Sequence, residues 1–475
     1  TFLIIPSGDT RVIGGLIRAI LAGALHDQAF VREHATGVEA LRQAVEPFTP
    51  EYVERRADVP RELLLRAARI FATGRQGFAV VGTGPNMAPR GTLTEYLTLC
   101  LNTLCGRWLR AGEPLPNPGV LTPATHPRAQ PIAPVPAWGF GERLRVRGFT
   151  NTAAGLPTAA LADEILLEGS GQVKALICVG GNPVAAWPDQ QRTAAAMKRL
   201  ELLVSLDPEM SATAKLAHYV IAPRLSFEQP GITLPVETLS AYAYTMGYEA
   251  PYAQYAPQLV DPPAGSDVIE EWQFFFELAR SMGLALSLDS AFPWIAGGQH
   301  AAPVALDMAH APTTDALLGI LTRGSRIPLA EVRGYPHGHV FDDVTVAVAP
   351  KDPACTAKLE LADPVMLAEL KEVADEAGVT APGYAFRLIP RRLPDVYNSY
   401  GRSIARLVRK HRHNPAFLHP DDLREIGVAP GDMVEILSRH DSILGVAEAD
   451  EGLRRGVVSM THAFGDLHRP NAEAE

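Results

Sequence analysis

Apolar positions in the first third of the chain alternate between short runs and longer stretches with helical spacing. Residues 2–5 and 78–81 are short apolar runs with the composition of buried strands. Residues 13–25 and 60–73 place apolar side chains on one helical face, and Gly74 is the expected end of the second helix. Strand, turn and helix in alternation predict an α/β unit with a mainly parallel sheet.

The same alternation returns after a proline-rich segment at residues 112–141. Residues 173–179 and 202–206 read as strands, and a helix is expected between them. From about residue 383 short strands separated by glycine turns predict a small β-barrel. We therefore expect an α/β protein with two Rossmann-like units with mainly parallel sheets and a C-terminal β-barrel. The expected divisions are residues 1–145, 146–300, a connecting region at 301–382, and 383–475.

Several predicted strands end in polar, glycine-containing turns. These turns hold Ser7-Gly8-Asp9, Thr83 between two glycines, Asn182, and Leu206-Asp207. Ligands of open α/β sheets bind outside the carboxyl ends of the strands, where glycine lets backbone N–H groups approach a phosphate. A single such turn is more often an ordinary helix cap. The repetition of such turns in one chain favours a nucleotide-binding site.

Charge adds one local feature to this prediction. The chain holds 43 basic and 53 acidic residues, a net charge of −10, which disfavours nucleic-acid binding. Residues 383–413 are the basic exception. The arginines from Arg402 onwards also suit a solvated helix face. Arg391 and Arg392 follow an apolar strand, where they suit a pyrophosphate.

The sequence motifs typical of zinc sites, hydrolases and P-loop nucleotide-binding proteins are absent from the chain. The four cysteines form no CxxC pair, and there is no HExxH, GxSxG or Walker sequence. No apolar run is long enough for a membrane span. An NAD-dependent dehydrogenase is a weak alternative, because GTGPNM holds only the first two glycines of the dinucleotide fingerprint.

In their order along the chain, these turns resemble the molybdopterin oxidoreductases of the dimethyl sulfoxide reductase family, formate dehydrogenases included. The resemblance covers nearly the whole chain, and its C-terminal part implies a double-psi-like barrel. It rests on the following stretches: IIPSGDTRVIGGLIRAIL, ALICVGGNPVAAWPD, LLVSLDPEMSATAKLAHYVIAP, LIPRRLPDVYNSYG, PAFLHPDDLREIGVAPGDMVEI and VVSMTHAFG.

That family binds molybdenum or tungsten between two molybdopterin guanine dinucleotides. The resemblance implies two guanosine sites, pterin contacts, and a pyrophosphate and pterin contact at the start of the barrel. It assigns no catalytic residue and no metal ligand to this chain. The implied cofactor-binding residues are Ser7, Gly8 and Asp9 for one guanosine; Thr83 and Met87 for a pterin; Asn182, Leu206 and Asp207 for the other nucleotide; Glu270 for a ribose; Arg391, Arg392, Asn398 and Ser399 at the barrel entry; and His462 near a pterin.

The sequence also departs from the family pattern. His218 stands where the family usually has Asp, and Met87 where it often has Gln. The cysteines for a 4Fe–4S cluster and the residue that ligates the metal have no counterpart, and in the family both precede the segment that matches residues 4–9. The chain opens with Thr1 inside such a strand and stops at Glu475, where the family continues with another cofactor-binding strand, so we expect a polypeptide truncated at both ends.

Two functions remain open at this point. One is a redox enzyme that oxidises formate or reduces an S-oxide, N-oxide or oxyanion, with a small-molecule substrate and an iron–sulfur or membrane-anchor partner subunit. The other is a non-catalytic, molybdopterin-like subunit of a respiratory complex. The cytoplasm is the favoured compartment, and the periplasm is an alternative because an export signal would precede Thr1.

Overall fold

A computed structural model describes residues 8–133, 136, 138–152, 155–239, 247–289, 302–376, 383–398, 400–407, 409, 413–462 and 464. The chain divides into two compact units, each built from three segments. Unit 1 comprises Thr1–Ile132, Gln229–Val260 and Phe276–Val379, and unit 2 comprises Ala133–Glu228, Asp261–Phe275 and Thr380–Glu475.

Helices and strands both contribute to each unit. The α-helices are α1 (Asp9–Ala22), α2 (Gln28–His34), α3 (Val38–Ala44), α4 (Pro50–Ala57), α5 (Arg61–Thr73), α6 (Thr83–Met87), α7 (Gly91–Leu104), α8 (Leu161–Leu166), α9 (Pro183–Ala186), α10 (Gln190–Arg199), α11 (Leu234–Thr238), α12 (Glu271–Ser281), α13 (Thr314–Leu321), α14 (Leu329–Val332), α15 (Pro364–Asp375) and α16 (Pro420–Ile426). The strands are β1 (Ala35–Thr36), β2 (Trp138–Arg143), β3 (Thr150–Thr152), β4 (Ala175–Val179), β5 (Leu202–Leu206), β6 (Tyr219–Ile221), β7 (Gly231–Ile232), β8 (Tyr252–Ala253), β9 (Tyr255–Ala256), β10 (Ser287–Leu288), β11 (Val304–Ala305), β12 (His339–Val340), β13 (Leu359–Glu360), β14 (Arg387–Pro390), β15 (Pro415–Leu418), β16 (Met433–Leu437), β17 (Ser442–Ala449) and β18 (Val457–Met460).

Unit 1 is organised around a helical core. Ile17 and Ile20 of α1 pack with Leu97 of α7 and Leu370 of α15, all fully buried. Burial of such side chains stabilises a fold by about 1.5–3 kcal/mol each. The expected connecting region at residues 301–382 thus supplies α15 to this core.

The segment at residues 78–81 was predicted to be a strand, and this prediction is wrong. The segment is irregular, and its backbone pairs with a side chain instead of a strand. The Asn102 side chain donates to the Ala79 carbonyl and accepts from the Ala79 amide, both at 2.8 Å. Because a carboxamide offers the same donor and acceptor as a peptide group, the fully buried Asn102 satisfies this backbone. The turn expected after it is the short helix α6.

The α/β part of unit 2 contains a three-stranded parallel sheet in the order β4–β5–β6. Its interior includes the fully buried Leu203 of β5 and Met197 of α10. A bridge between Pro223 and Ile269 continues the parallel pairing beyond β6. The carboxyl ends of β4, β5 and β6 therefore lie along one edge, as in other parallel sheets.

The C-terminal part of unit 2 is a five-stranded mixed sheet in the order β14–β18–β15–β17–β16. Strand β18 runs parallel to β14 and antiparallel to β15. Ala416, Ala447 and Val458 pack in its core. Helix α16 ends at Gly427, whose φ of 71° is the left-handed conformation that favours glycine at this position.

The predicted fold class is confirmed: the protein is a mixed α/β protein with parallel sheets and a curled C-terminal sheet. The predicted strands β4, β5, β16, β17 and β18 and the predicted helices α1, α5, α7, α10, α12 and α16 are present. The strand expected at residues 2–5 lies outside the described residues. The division into four consecutive domains stays a prediction.

Replacement of Asn102 by Leu is expected to destabilise unit 1 by about 2 kcal/mol, because it leaves the half-buried amide and carbonyl of Ala79 without their hydrogen-bond partner. Hydrogen–deuterium exchange should become faster in peptides that span residues 76–81. The control is Thr92→Ala at an exposed position of α7, which should change stability by less than about 0.5 kcal/mol. Unchanged exchange in the Asn102 variant would show that the carboxamide does not hold this segment.

Candidate functional site

Asp207 lies at the carboxyl end of β5 and is only 5% exposed. Its amide donates to the Ile221 carbonyl, which fixes the residue beside the end of β6. One carboxylate oxygen, Oδ1, accepts from the Glu209 amide at 3.0 Å. Leu206 before it is fully buried, and its carbonyl accepts from Gly180 N–H after β4. The sheet therefore presents a nearly buried acid at its carboxyl edge.

Asn182 follows β4 and holds the neighbouring turn in place. Its side-chain oxygen accepts from both the amide and the hydroxyl of Thr213, at 3.1 and 2.8 Å. The Thr213 hydroxyl in turn accepts from the Val184 amide. Gly180, with a φ of 57° and open space at the Cβ position, makes the sharp turn out of the strand. Asn182 thus organises this edge, and its contact with a nucleotide stays a prediction.

His218, the residue that departs from the family pattern, also has a backbone role. Its Nδ1 accepts a hydrogen bond from the Leu203 amide at 2.8 Å. An imidazole nitrogen can accept only when it carries no proton, so this contact requires the tautomer that is protonated on Nε2.

The negative charge of Asp207 contributes to raised pKa values of two groups on other segments. Burial and the nearby Asp207 carboxylate raise the pKa of the Cys178 thiol in β4 to about 11. Burial, followed by the charges of Asp207, Glu209 and Glu271, also raises the pKa of Tyr400. Tyr400 follows β14 in the chain, so the C-terminal part of unit 2 reaches the carboxyl edge of the β4–β5–β6 sheet.

A linking segment, residues 397, 398 and 400–403, makes that connection. The Ser403 hydroxyl donates to Glu209 Oε1 at 2.8 Å. At its other end, the Arg392 guanidinium donates to Asn398 Oδ1. Asn398 has a φ of 53°, which asparagine tolerates better than most residues. Asn398 contacts Arg392, and Tyr400 lies near Asp207. Because two residues of chain span at most about 7 Å, Arg392 and Asp207 are brought close together.

Arg392 and His462 lie at adjacent strand ends of the C-terminal sheet. The parallel pairing ends with Pro390 opposite Met460, and Arg392 and His462 each follow two residues later in the chain. Partial burial of the imidazole, followed by the positive charge of Arg392, lowers the pKa of His462. His462 is therefore an uncharged hydrogen-bonding group near neutral pH, next to a permanent cation.

Arg391 has partners of its own within this sheet. Its guanidinium pairs with Asp450 and lies 4.0 Å from the centroid of the Phe417 ring. The hydrogen bond from Arg391 lowers the pKa of Asp450 more than burial raises it. Arg391 therefore stabilises the sheet, and its contact with a pyrophosphate stays a prediction.

Glu270 is buried at the start of α12 and is held by its neighbours. Its carboxylate accepts from Trp272 Nε1 at 2.9 Å and pairs with Arg224 at 3.5 Å. These contacts place it beside the bridge between Pro223 and Ile269, at the same edge as Asp207. A ribose contact by Glu270 stays a prediction.

The other predicted site residues belong to unit 1 or lie outside the described residues. Gly8 precedes α1, and Asp9 is its first residue, where burial raises the pKa of the Asp9 carboxyl. Thr83 and Met87 begin and end α6, and both are exposed. Ser7 and Ser399 lie outside the described residues. Whether the unit 1 residues share a ligand with unit 2 stays a prediction.

The sequence reasoning missed three positions of this site. Glu209 and Ser403 join the two parts of unit 2, and Asn414, next to the start of β15, extends the line of Arg392 and His462. The first two are polar residues of ordinary type, Glu209 half-buried and Ser403 exposed, so composition gave no signal. Asn414 precedes a proline at a strand start, and that dipeptide was the available hint.

The described residues hold neither a metal-binding cluster nor a membrane-spanning helix. Within the described ranges, no group of three or more His, Cys, Asp or Glu side chains is arranged to hold a metal ion. Over the same ranges, no helix has the length and apolarity that crossing a membrane requires.

Comparisons with known proteins address the class of this site. Residues 386–474 match the family model of the molydopterin dinucleotide binding domain. The match covers β14 to β18, the sheet that presents Arg392 and His462.

Similar proteins extend the likeness to almost the whole chain. The F420-dependent formate dehydrogenase subunit alpha of Methanocaldococcus jannaschii is 22% identical over 97% of this chain and 64% of its own length. The molybdopterin-containing subunit of thiosulfate reductase of Salmonella typhimurium is 24% identical over 61% of this chain and 38% of its own. Acetylene hydratase from Pelobacter acetylenicus has a similar fold, with a TM-score of 0.65, 16% identity, and coverage of 99% of this chain and 66% of that one.

The chain therefore has a match to the molydopterin dinucleotide binding domain and is similar, over nearly its whole length, to molybdopterin oxidoreductases of the dimethyl sulfoxide reductase family. It spans less than two thirds of the length of the relatives given above.

The residues of unit 2 fit the cofactor of that family. Asp207 offers a nearly buried acceptor for the N–H groups of a base, and Arg392 offers a cation for phosphate. Two buried polar atoms, Asn414 Oδ1 and Thr461 Oγ1, have no hydrogen-bond partner among the described residues. Because folded proteins seldom leave such atoms unpartnered, they indicate a polar molecule that binds here.

Replacement of Arg392 by Gln is expected to raise the pKa of His462. The positive charge disfavours protonation of the imidazole, so its removal shifts the titration towards that of a free histidine. NMR titration of histidine ring signals, assigned with a His462→Gln variant, measures the effect. Arg424→Gln, a change at an exposed arginine of unit 2, is the control. If the His462 titration is the same in all three proteins, Arg392 and His462 are not electrostatically coupled.

Proposed function

We propose that this chain holds a molybdopterin guanine dinucleotide in a molybdenum- or tungsten-dependent oxidoreductase. The observation that carries the proposal is the linking segment of unit 2. It joins the acid at the carboxyl edge of the parallel sheet, through Glu209 and Ser403, to the cation at the edge of the C-terminal sheet. A dinucleotide is long, and it needs an acceptor at its base and a cation at its phosphates.

Each part of the site has a role in this proposal. The Asp207 carboxylate accepts N–H groups of the guanine, since an ionised acceptor makes the strongest such bonds. Arg392 binds a pyrophosphate oxygen, and Asn398 fixes the guanidinium by its hydrogen bond. His462, uncharged near neutral pH, can donate to or accept from the pterin. Gly8 and Asp9 of unit 1 are proposed for the guanosine of a second dinucleotide.

The reaction belongs to the cofactor, and the residues position it. When bound, the metal centre supplies two-electron redox chemistry or oxygen-atom transfer. We propose an activity of the formate dehydrogenase type or the reduction of an S-oxide, N-oxide or oxyanion, as the names of the relatives suggest. An electron-transfer partner subunit and a 4Fe–4S cluster elsewhere in the complete protein are parts of the same proposal.

The comparisons do not favour the alternative of a non-catalytic structural subunit, because the two relatives given from the sequence comparison are subunits of a formate dehydrogenase and a thiosulfate reductase.

Replacement of Asp207 by Asn is expected to lower retention of guanine nucleotide and of molybdenum or tungsten by roughly tenfold or more. It removes the charge from an acceptor whose hydrogen bonds contribute about 1.5–3 kcal/mol. The chain is purified from cells that make the cofactor. Guanine nucleotide released by acid is measured by chromatography, and the metal by elemental analysis.

The matched control is Asp441→Asn, at an exposed turn between β16 and β17 of the same unit. It should retain as much cofactor as the unchanged chain. Equal retention by the Asp207 variant would remove Asp207 from the site. A chain that carries neither nucleotide nor metal when purified from such cells would contradict the proposed function.

A further inference from the structure

The hairpin of β2 and β3 in unit 2 exposes aromatic side chains that the site described above does not use. Among the described strands, β2 pairs with β3 alone, with bulges in the pairing, and all six of its residues are exposed. A two-stranded hairpin is at best marginally stable by itself in water. Trp138 is nevertheless 58% exposed, Phe140 39%, and Phe149, in the loop between the strands, 40%. Exposed apolar surface of this extent marks a place where another molecule binds.

A cleft of about 630 Å³ lies beside the hairpin loop. Val146 and Arg147 of that loop line it together with residues of α8 and of the segment that leads into α10. Its apolar lining includes Leu167, which is 41% exposed. The charged residues that line it are Arg147, Asp163, Asp189 and Arg192. The hairpin and the cleft therefore share one continuous surface, and we call this surface the hairpin patch.

The loop between hairpin and cleft is held in a fixed shape. Arg145 pairs with the buried Glu164 at 2.7 Å and donates to the Leu167 carbonyl after α8. The other carboxylate oxygen of Glu164 accepts from the Val146 amide at 2.9 Å. Arg147, which follows, has a φ of 57°, a conformation that few residues other than glycine adopt and that is often kept for a functional reason. The hairpin patch is therefore preorganised for binding.

The charged groups of the hairpin patch include one cation and one anion without an ion pair. Arg192 pairs with Asp163. Arg147 and Asp189 both line the cleft, and neither has an ion-pair partner in the described part of the chain. Asp189 Oδ1 accepts from the Arg192 amide at 3.0 Å, and the residue is exposed. A partner can therefore pair with both Arg147 and Asp189.

The composition of the hairpin patch fits a second copy of the same chain. A two-fold contact needs a self-complementary surface, because the same patch of both copies takes part in it. The hairpin patch offers both halves of such a contact: aromatic side chains beside a cleft, and an unpaired cation beside an unpaired anion. The chain as a whole carries a net charge of −10, so acidic surfaces of two copies repel each other. A patch that carries both signs avoids this repulsion.

The exposed aromatic surface is large enough to contribute substantially to such a contact. Aromatic side chains bury about 150–250 Å² each when fully covered, so three that are about half exposed offer roughly 300 Å² per copy. A specific interface covers about 800 Å² on each partner, and the walls of the cleft and the charged side chains can supply the remainder. Trp and Arg, both present here, commonly dominate the binding energy of protein interfaces.

We propose that the hairpin patch is a two-fold self-association surface, in which the β2–β3 hairpin of each copy packs against the cleft of the other. Arg147 of one copy pairs with Asp189 of the other copy, and symmetry repeats this contact. The side chains of Trp138 and Phe140 are removed from water by the same contact. The inference does not depend on the proposed function, because none of these residues belongs to the site at Asp207 and Arg392.

Trp138→Ser tests the apolar part of the contact. Sedimentation of the full chain is measured at concentrations of about 1–100 µM, over which the unchanged chain is expected to form a dimer. Trp138→Ser is expected to weaken the dimer by roughly tenfold or more, because a buried interface Trp is a typical hot spot. The matched control is Leu437→Ser, at a similarly exposed apolar residue of β16, which should dimerise like the unchanged chain.

An exchange of charges tests the two-fold pairing itself. Arg147→Glu brings two acids together across the contact, and Asp189→Lys brings two cations together. Each variant alone is therefore expected to remain monomeric. An equimolar mixture of the two variants should dimerise like the unchanged chain, because both contacts of the mixed pair then join opposite charges. Asp189→Lys also removes the N-cap of α10, so a dimer in the mixture shows in addition that both variants are folded.

Three results would contradict the inference. The first is an unchanged chain that stays monomeric up to about 100 µM, which would leave the hairpin patch to a different partner. The second is a dimer that survives both Trp138→Ser and Arg147→Glu, which would place the contact elsewhere. The third is a mixture of the two charge variants that does not associate although circular dichroism shows both to be folded. Cofactor retention is measured separately, so each of these results leaves the proposed function in place.

Discussion

The pairing of β18 with its two neighbours is the constraint on which the site depends. A strand has a side-chain period of two, so a shift of one residue would turn Arg392 and His462 to opposite faces. The register is fixed by apolar packing of Ala416, Val458 and Met460 in the core of the sheet. Core packing therefore determines which polar groups meet at the strand ends.

The linking segment connects the C-terminal sheet to the parallel sheet. Hydrogen bonds hold it at its two ends, from Ser403 to Glu209 and from Arg392 to Asn398. Exposed hydrogen bonds of this kind contribute little stability individually, about 0.5–1.5 kcal/mol. Their importance lies in position, since they set the separation between an acid and a cation that one extended ligand can span.

The helices and strands were predicted correctly where their boundaries depend on the local pattern of residues. Strands β4 and β5 and the end of α16 at Gly427 follow from apolar runs and glycine chemistry within a few residues. The prediction failed at residues 78–81, because the partner of that backbone is Asn102, a side chain 23 residues away. The same holds for the site residues. Asp207 and Arg392 were predicted because they follow recognisable strands. Glu209, Ser403 and Asn414 were not, because their roles depend on contacts with residues distant in sequence.

A crystal structure of the cofactor-loaded protein tests the central claim most directly. The account predicts one continuous ligand whose guanine lies within hydrogen-bonding distance of the Asp207 carboxylate and whose pyrophosphate or pterin contacts Arg392 and His462. Ligand density that follows only one of the two sheet edges, or that leaves Asp207 without a contact to the base, would contradict it.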